Sequence, residues 1–163
     1  MALTRINNQA LSNVTSAGIP KGAGQVLQVK RGILSSVYNT TASYADTGLE
    51  VSITPSSTSS KIYIITHCNV YVSSGKGIGL RFARGSTSVY DPSPSNNSSQ
   101  PYIYYSADSG YSNVSFDFID SPSTTSAITY KVQARYYSGT TARLNTDDAN
   151  DASSSVTVME IAG

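Results

Sequence analysis

The sequence has no tryptophan, one cysteine and one histidine in 163 residues, and only 13% of its residues are charged. A single cysteine excludes an intramolecular disulfide, and a single histidine provides no pair for a zinc site. Eleven Lys and Arg against ten Asp and Glu form no basic field for a phosphate backbone, so we expect no nucleic-acid partner. No segment approaches the roughly 20 apolar residues of a membrane-spanning helix, so we expect no membrane partner.

Hydroxyl groups are the abundant feature, since Ser occurs 29 times, Thr 16 times and Tyr 12 times. Such a chain depends on hydroxyls and amides rather than on charges for its solubility, as extracellular and particle-surface β proteins often do. The first nine residues, MALTRINNQ, contain no apolar run after a basic start and do not resemble a secretory signal. These features fit a protein that is made in the cytoplasm of a cell and exposed later, such as part of a virion, and they also fit an ordinary cytosolic β domain.

From residue 25 onward the hydrophobic pattern has a period of two, which is typical of β-strands. The clearest strand is Lys61–Val72, whose even-numbered residues, Ile62 to Val72, share one face. About ten short strands are predicted, and no segment shows helical spacing of apolar residues. The sequence therefore predicts an all-β protein, an antiparallel β-sandwich of the jelly-roll kind formed by residues 25–163.

Residues 1–24 are predicted to form an extended N-terminal arm rather than part of the sandwich. The segment is polar and rich in small residues, and its apolar residues are too few to form a core. We expect the arm to contact a capsid or a neighbouring subunit through four apolar anchors: Leu3, Ile6, Leu11 and Val14.

Two glycine-containing segments are predicted to be turns between strands. Asp46-Thr47-Gly48 separates two short strand candidates, and Gly75–Gly79 lies between two longer ones. The second segment lacks the Lys-Ser/Thr ending and the following helix of a phosphate-binding loop, so it is interpreted as a hairpin turn.

The residues that could support catalysis are few, and we expect no enzyme, no cofactor and no metal site. His67 and Cys68 are adjacent on a strand, so their side chains point to opposite faces and cannot form a nucleophile pair. Asp117 and Asp120 lack any signature of a glycosidase, and Asp120 is interpreted as a turn cap. The acidic segment Asp147–Asp151 offers oxygen ligands for calcium without the EF-hand spacing, and a solvated loop is the preferred interpretation.

Tyrosines are enriched in the second half of the chain and are the main candidates for recognition. Tyrosine provides rigid amphipathic area for a protein interface or for stacking on sugars. The candidates for an interface or a glycan contact are Tyr102, Tyr105, Tyr111 and Tyr137.

Several passages together resemble the small virion surface proteins of tailed phages, especially those of marine and cyanobacterial hosts. The passages run almost from end to end of the chain, and Asp46–Leu49 followed by Ser52–Ser57 is the most specific. The others include Ala2–Gln9, Gln25–Val29, Arg84–Thr87, Asp120–Pro122, Thr129–Gln133 and Met159–Ile161.

This resemblance implies a β-sandwich protein on the virion surface that is commonly a homotrimer. The group includes head decoration proteins, which bind the major capsid protein, and receptor-binding fibre tips, which recognise host glycans. Because the chain has a short polar arm and no long shaft before its sandwich, we expect a decoration protein, with the fibre tip as the alternative.

Overall fold

Alternation of apolar and polar residues produces strands throughout the part of the chain that the structure describes. The structure is a computed structural model that describes residues 23–90, 108–137, 142–145 and 152–163, together with the backbone of residues 102–105. The strands in these ranges are β1 (Val26–Leu34), β2 (Tyr38–Asn39), β3 (Ala45–Ile53), β4 (Lys61–Val72), β5 (Lys76–Arg84), β6 (Thr87–Tyr90), β7 (Tyr102–Tyr105), β8 (Gly110–Asp120), β9 (Ile128–Tyr137), β10 (Ala142–Leu144) and β11 (Ser154–Ile161).

The strands form two antiparallel sheets. Sheet A has the order β1-β11-β4-β8, and the short strand β10 pairs with β4 beyond the end of β11 while β2 pairs with β10. Sheet B has the order β3-β9-β5, and β6 and β7 both pair with β5 along different parts of its length. If β6 and β7 are counted as one position, the chain follows the eight-position order of a jelly roll. The predicted all-β, jelly-roll-like sandwich is confirmed.

The core lies between the two sheets and is apolar. The rings of Phe82 on β5 and Phe116 on β8 are 4.3 Å apart between centroids, so they join sheet B to sheet A. Cys68 is buried in this core as a small hydrophobic residue, while the neighbouring His67 is exposed. The opposite orientation of these two side chains, predicted from strand geometry, is confirmed.

The two sheets approach each other most closely at β1 and β3. A Cβ atom on Gly32 of β1 would lie 1.9 Å from the carbonyl oxygen of Glu50 on β3. No side chain fits there, so glycine is required at position 32 for the edge of sheet A to pack on the edge of sheet B.

The prediction of a turn at Asp46-Thr47-Gly48 is wrong, because these residues lie inside β3. Between Asp46 and Glu50 strand β3 advances four residues while the paired strand β9 advances two, which defines a bulge. Gly48 has a φ of 82°, and the Thr47 hydroxyl donates to the carbonyl of Val132 at 2.7 Å. The residues Asp46-Thr47-Gly48, which are typical of turns, therefore form a bulge within β3 and do not end the strand.

The prediction of a hairpin at Gly75–Gly79 is also wrong. Strands β4 and β5 belong to different sheets and do not pair with each other, and the chain crosses between the sheets at Ser74 and Gly75. Periodicity identified both strands, but it contains no information about which strands become neighbours.

Candidate interaction surface

Face A, the outward surface of sheet A formed by β1, β11, β4 and β8, contains a row of apolar side chains that crosses all four strands. Paired residues on neighbouring antiparallel strands place their side chains on the same face, so the register defines rows across the sheet. The first row is entirely apolar or aromatic, and its outermost members, Val29 and Ile119, are 53% and 52% exposed. The row consists of Val29, Met159, Tyr63 and Ile119.

The second row of face A places opposite charges at opposite edges of the sheet. Arg31 lies on β1 at one edge and Asp117 lies on β8 at the other, both exposed. Thr157 and Ile65 lie between them. The hydroxyl of Tyr63 is hydrogen-bonded to Asp117, and burial together with this carboxylate raises the pKa of Tyr63. Asp117 thus has a neutral partner within its own chain.

The third row contains the only His of the chain. The hydroxyl of Ser115 and Nδ1 of His67 are 2.7 Å apart, and both side chains are exposed. Ile33, 57% exposed, is at the opposite edge of the same row. His67 and Ser115 are directly paired residues of β4 and β8, so this hydrogen bond links the side chains of two neighbouring strands on face A.

Face A ends in an aromatic cluster. The rings of Tyr71 and Tyr111 are 5.0 Å apart at 51°, and the guanidinium of Arg143 lies 4.7 Å from the centre of the Tyr71 ring. Tyr111 is 56% exposed, and Asn69 and Asn113 form the neighbouring row. Aromatic rings flanked by amides and a cation can stack on and hydrogen-bond to a polar planar ligand, or can anchor a protein interface.

Face B, the outward surface of sheet B formed by β3, β9 and β5, is polar and internally paired. Lys131 Nζ donates to Asp46 at 2.6 Å, and Gln133 donates to the other oxygen of the same carboxylate at 2.7 Å. These two hydrogen bonds hold the pKa of Asp46 below its usual range. Gln133 also accepts from Arg81, whose guanidinium lies 4.2 Å from the centre of the Tyr44 ring. Asp46, Lys131 and Arg81 on face B thus have partners within the chain.

Asp120 connects the two sheets instead of capping a turn. Its carboxylate accepts from the buried hydroxyl of Tyr130 at 2.6 Å and from Arg84 at 2.7 Å. Asp120 ends β8 in sheet A, while Tyr130 and Arg84 belong to sheet B. Burial and the nearby carboxylate raise the pKa of Tyr130, so its hydroxyl remains a donor. The hydrogen bond with Tyr130 and the ion pair with Arg84 therefore link the end of β8 to sheet B.

Glu160 is a fully buried carboxylate near the C-terminal end of β11. It accepts from Gln28 at 2.6 Å, from the backbone N–H and hydroxyl of Ser56 at 2.6 and 2.7 Å, and from the Ser60 hydroxyl at 2.7 Å. Burial alone would raise its pKa, but these four hydrogen bonds outweigh it and lower the pKa to about 2. An ionised group satisfied so completely fixes the loop after β3 to sheet A.

The sequence-predicted tyrosines do not form one cluster. Tyr111 lies on sheet A, whereas Tyr137 lies at the end of β9 in sheet B. Tyr102 and Tyr105 are in β7, which pairs with β5, and the description of this strand covers its backbone only. The arm residues Leu3, Ile6, Leu11 and Val14 and the acidic segment Asp147–Asp151 lie outside the described residues.

Sequence reasoning missed the apolar character of face A. Val29, Arg31 and Ile33 alternate on one side of β1, but the sequence pattern divides this segment into two separate short strands, so their common face is not visible in it. A detectable signal was Ile119, which is in phase with the outward residues Ser115 and Asp117 rather than with the core residues of β8.

No protein-family model matches the chain, and no curated protein matches it in sequence. Among the described residues, no three His, Cys, Asp or Glu side chains are grouped so that they could hold a metal ion. In the same residues no helix has the length and apolarity needed to cross a bilayer.

Proposed function

We propose that this protein is a structural component of a phage virion surface, a head decoration protein that binds and stabilises the assembled capsid. The observation that supports it best is face A, which exposes a continuous apolar row across all four of its strands. Exposed apolar surface of this extent is typical of protein-contact sites. The resemblance of the sequence to phage surface proteins supplies the virion context, together with the homotrimer that it implies.

A decoration protein stabilises a shell by mass action, because it binds the assembled form and leaves loose subunits unbound. Many copies of one modest contact, repeated over a lattice, give strong attachment without a large single interface. A sandwich with a continuous apolar row on one outer face and a polar opposite face suits this role, since it can contact a neighbouring protein on one side and water on the other.

The test is decoration of capsids that lack the protein. Full-length protein is expected to sediment with such capsids and to raise their melting temperature, while a variant lacking residues 1–20 is expected to remain folded and unbound. Circular dichroism provides the folding control. Undiminished decoration by the truncated protein would contradict a role for the arm, and cryo-electron microscopy that located the protein on the tail would contradict the head assignment.

A receptor-binding fibre tip is the second candidate, and the aromatic cluster of Tyr71, Tyr111 and Arg143 favours it. In that case the full-length protein binds a host-type glycan on an array, and Tyr111→Ala reduces the signal. Ser52→Ala, at an exposed position of sheet B, is the control. A decoration protein is expected to give no glycan-specific signal.

A further inference from the structure

We infer that face A is covered by a second copy of this chain, related to the first by a two-fold axis parallel to the strands. The inference rests on the proposed role of face A as a contact surface and goes beyond it by naming the partner. Four observations carry it: the two charges, the distance between them, the apolar row and the area of the face.

Arg31 and Asp117 occupy the same row at opposite edges of sheet A, on β1 and β8. Three strand spacings of about 4.8 Å separate the two strands, which places the side chains roughly 14 Å apart. They therefore cannot pair within one chain, although both are exposed on the same apolar face.

A two-fold rotation about an axis parallel to the strands and midway between β11 and β4 keeps every row in its place and exchanges the two edges. Arg31 then lies over Asp117 of the second copy, and the reverse pair forms at the other edge. An axis across the strands along this row would place Arg31 over Arg31 of the second copy. Charge complementarity therefore selects the parallel axis, and one such contact contains two ion pairs.

The same rotation also places apolar residues of the two copies against each other. Val29 faces Ile119 of the second copy, and Met159 faces Tyr63, so the exposed ends of the first row cover one another. At the far end of the face, Arg143 lies over Tyr71 of the second copy, a favourable cation–aromatic arrangement.

The area is sufficient for a specific contact of moderate strength. Four strands about 4.8 Å apart and about nine residues at about 3.4 Å each give a face of roughly 600 Å² per copy. The pair then buries about 1,200 Å² in total, at the lower end of the range for stable interfaces.

The experiment measures the mass of the full chain in solution by light scattering and sedimentation. Wild type is expected to form dimers, or hexamers if a three-fold contact is also present. Arg31→Glu and Asp117→Arg should each weaken the dimer at least about tenfold, because each places two like-charged pairs in the contact. The doubly substituted chain, R31E with D117R, should dimerise again.

Mixing the two single variants gives the sharpest result. The negative charge introduced by R31E on one chain then faces the positive charge introduced by D117R on the other. The unchanged Asp117 of the first chain faces the unchanged Arg31 of the second. The equimolar mixture should therefore form heterodimers, while each variant alone does not. Lys30→Glu, one residue along β1 and on its other side, is the matched control and should leave the dimer unchanged.

A wild-type protein that is monomeric or an isolated trimer at high micromolar concentration would overturn the inference. So would a dimer insensitive to Arg31→Glu, or single variants that fail to pair when mixed. These outcomes do not test the proposed function. Capsid decoration is measured in a separate experiment, and its result does not depend on whether the free protein is a monomer, a dimer or a larger assembly.

Discussion

Face A and face B are outward surfaces of the same sandwich, yet they differ in how their polar and apolar groups are arranged. On face B the carboxylate of Asp46 is hydrogen-bonded to Lys131 and Gln133. On face A the charges of Arg31 and Asp117 lie at opposite edges, and apolar side chains such as Ile33 and Ile119 are more than half exposed. Among the described residues, face A therefore combines a continuous apolar row with charges that have no ion-pair partner in their own chain.

The difference arises from strand neighbours. Asp46 and Lys131 are on the adjacent strands β3 and β9, so their side chains meet within one chain. Arg31 and Asp117 are separated by two intervening strands, so their side chains do not meet within one chain. When the polar and charged groups of a surface already have partners within the chain, binding a second molecule adds few favourable contacts. When they do not, assembly buries apolar area and forms new ion pairs.

The largest expected effect is a loss of folding stability caused by Glu160→Gln. This substitution lies inside the sandwich and changes no residue of face A or face B. The folded-state pKa of Glu160, about 2, is below its ordinary value of 4.5, so its contribution is present above pH 4.5 and is lost as the pH falls towards 2. The contribution at pH 7 is on the order of 3 kcal/mol. Denaturation by urea at pH 7, 4.5 and 2.5 measures it.

Glu50→Gln, at an exposed position of β3, is the control and should change stability little. If Glu160→Gln assembles normally at temperatures where it is folded, folding and assembly are separate properties of the chain. An acid dependence identical to that of wild type would show that the buried carboxylate does not stabilise the fold.

The next largest effect separates the two faces. Ile119→Asp on face A should weaken self-association by roughly 30-fold or more, because a charge replaces an apolar side chain at a desolvated contact. It should weaken capsid binding indirectly, because a dimer attaches through two copies at once. Ser52→Asp on face B introduces the same residue at an exposed position and should leave both unchanged. Sedimentation and capsid binding measure the effect, with the melting temperature as the folding control.

Equal loss for the two variants would mean that the faces do not differ in function. Loss only for Ser52→Asp would reverse the assignment and move the contact surface to face B.

The smallest effect concerns the paired charges of face B. Asp46→Asn removes the ion pair with Lys131, and exposed pairs of this kind contribute little to stability. Because the pKa of Asp46 is lowered in the folded state, its contribution is present above the ordinary pKa and is lost as the pH falls. Differential scanning calorimetry at pH 7 and pH 3 should show a small difference in stability that is smaller in acid. A weakened self-association would contradict the view that face B is closed to partners.

The sequence was informative about strands and less so about their ends and neighbours. Alternation in Lys61–Val72 identified β4 within its correct bounds, because one side of that strand is buried throughout. The same reasoning failed at Asp46-Thr47-Gly48, since residues that usually form turns can also form a bulge when the next strand supplies a partner such as Val132. The short strands β2 and β10 contain too few residues to show a period.

The candidate surface was less predictable than the fold. Tyr111 was identified from composition, and it is exposed on face A. Val29, Arg31 and Ile119 were not identified, because a face spanning four strands distant in sequence exists only once the register of β1, β11, β4 and β8 is known.

The sequence by itself determined the local features of the protein. The chain forms strands, Cys68 and His67 point in opposite directions, and its solubility depends on hydroxyl groups. These follow from the two-residue period of a strand and from the types of side chain present. The tertiary structure alone decided that Glu160 is held by Gln28, Ser56 and Ser60, and that Arg31 and Asp117 occupy one row without meeting. These are relations between strands far apart in the chain, fixed by how the sheets close around their core.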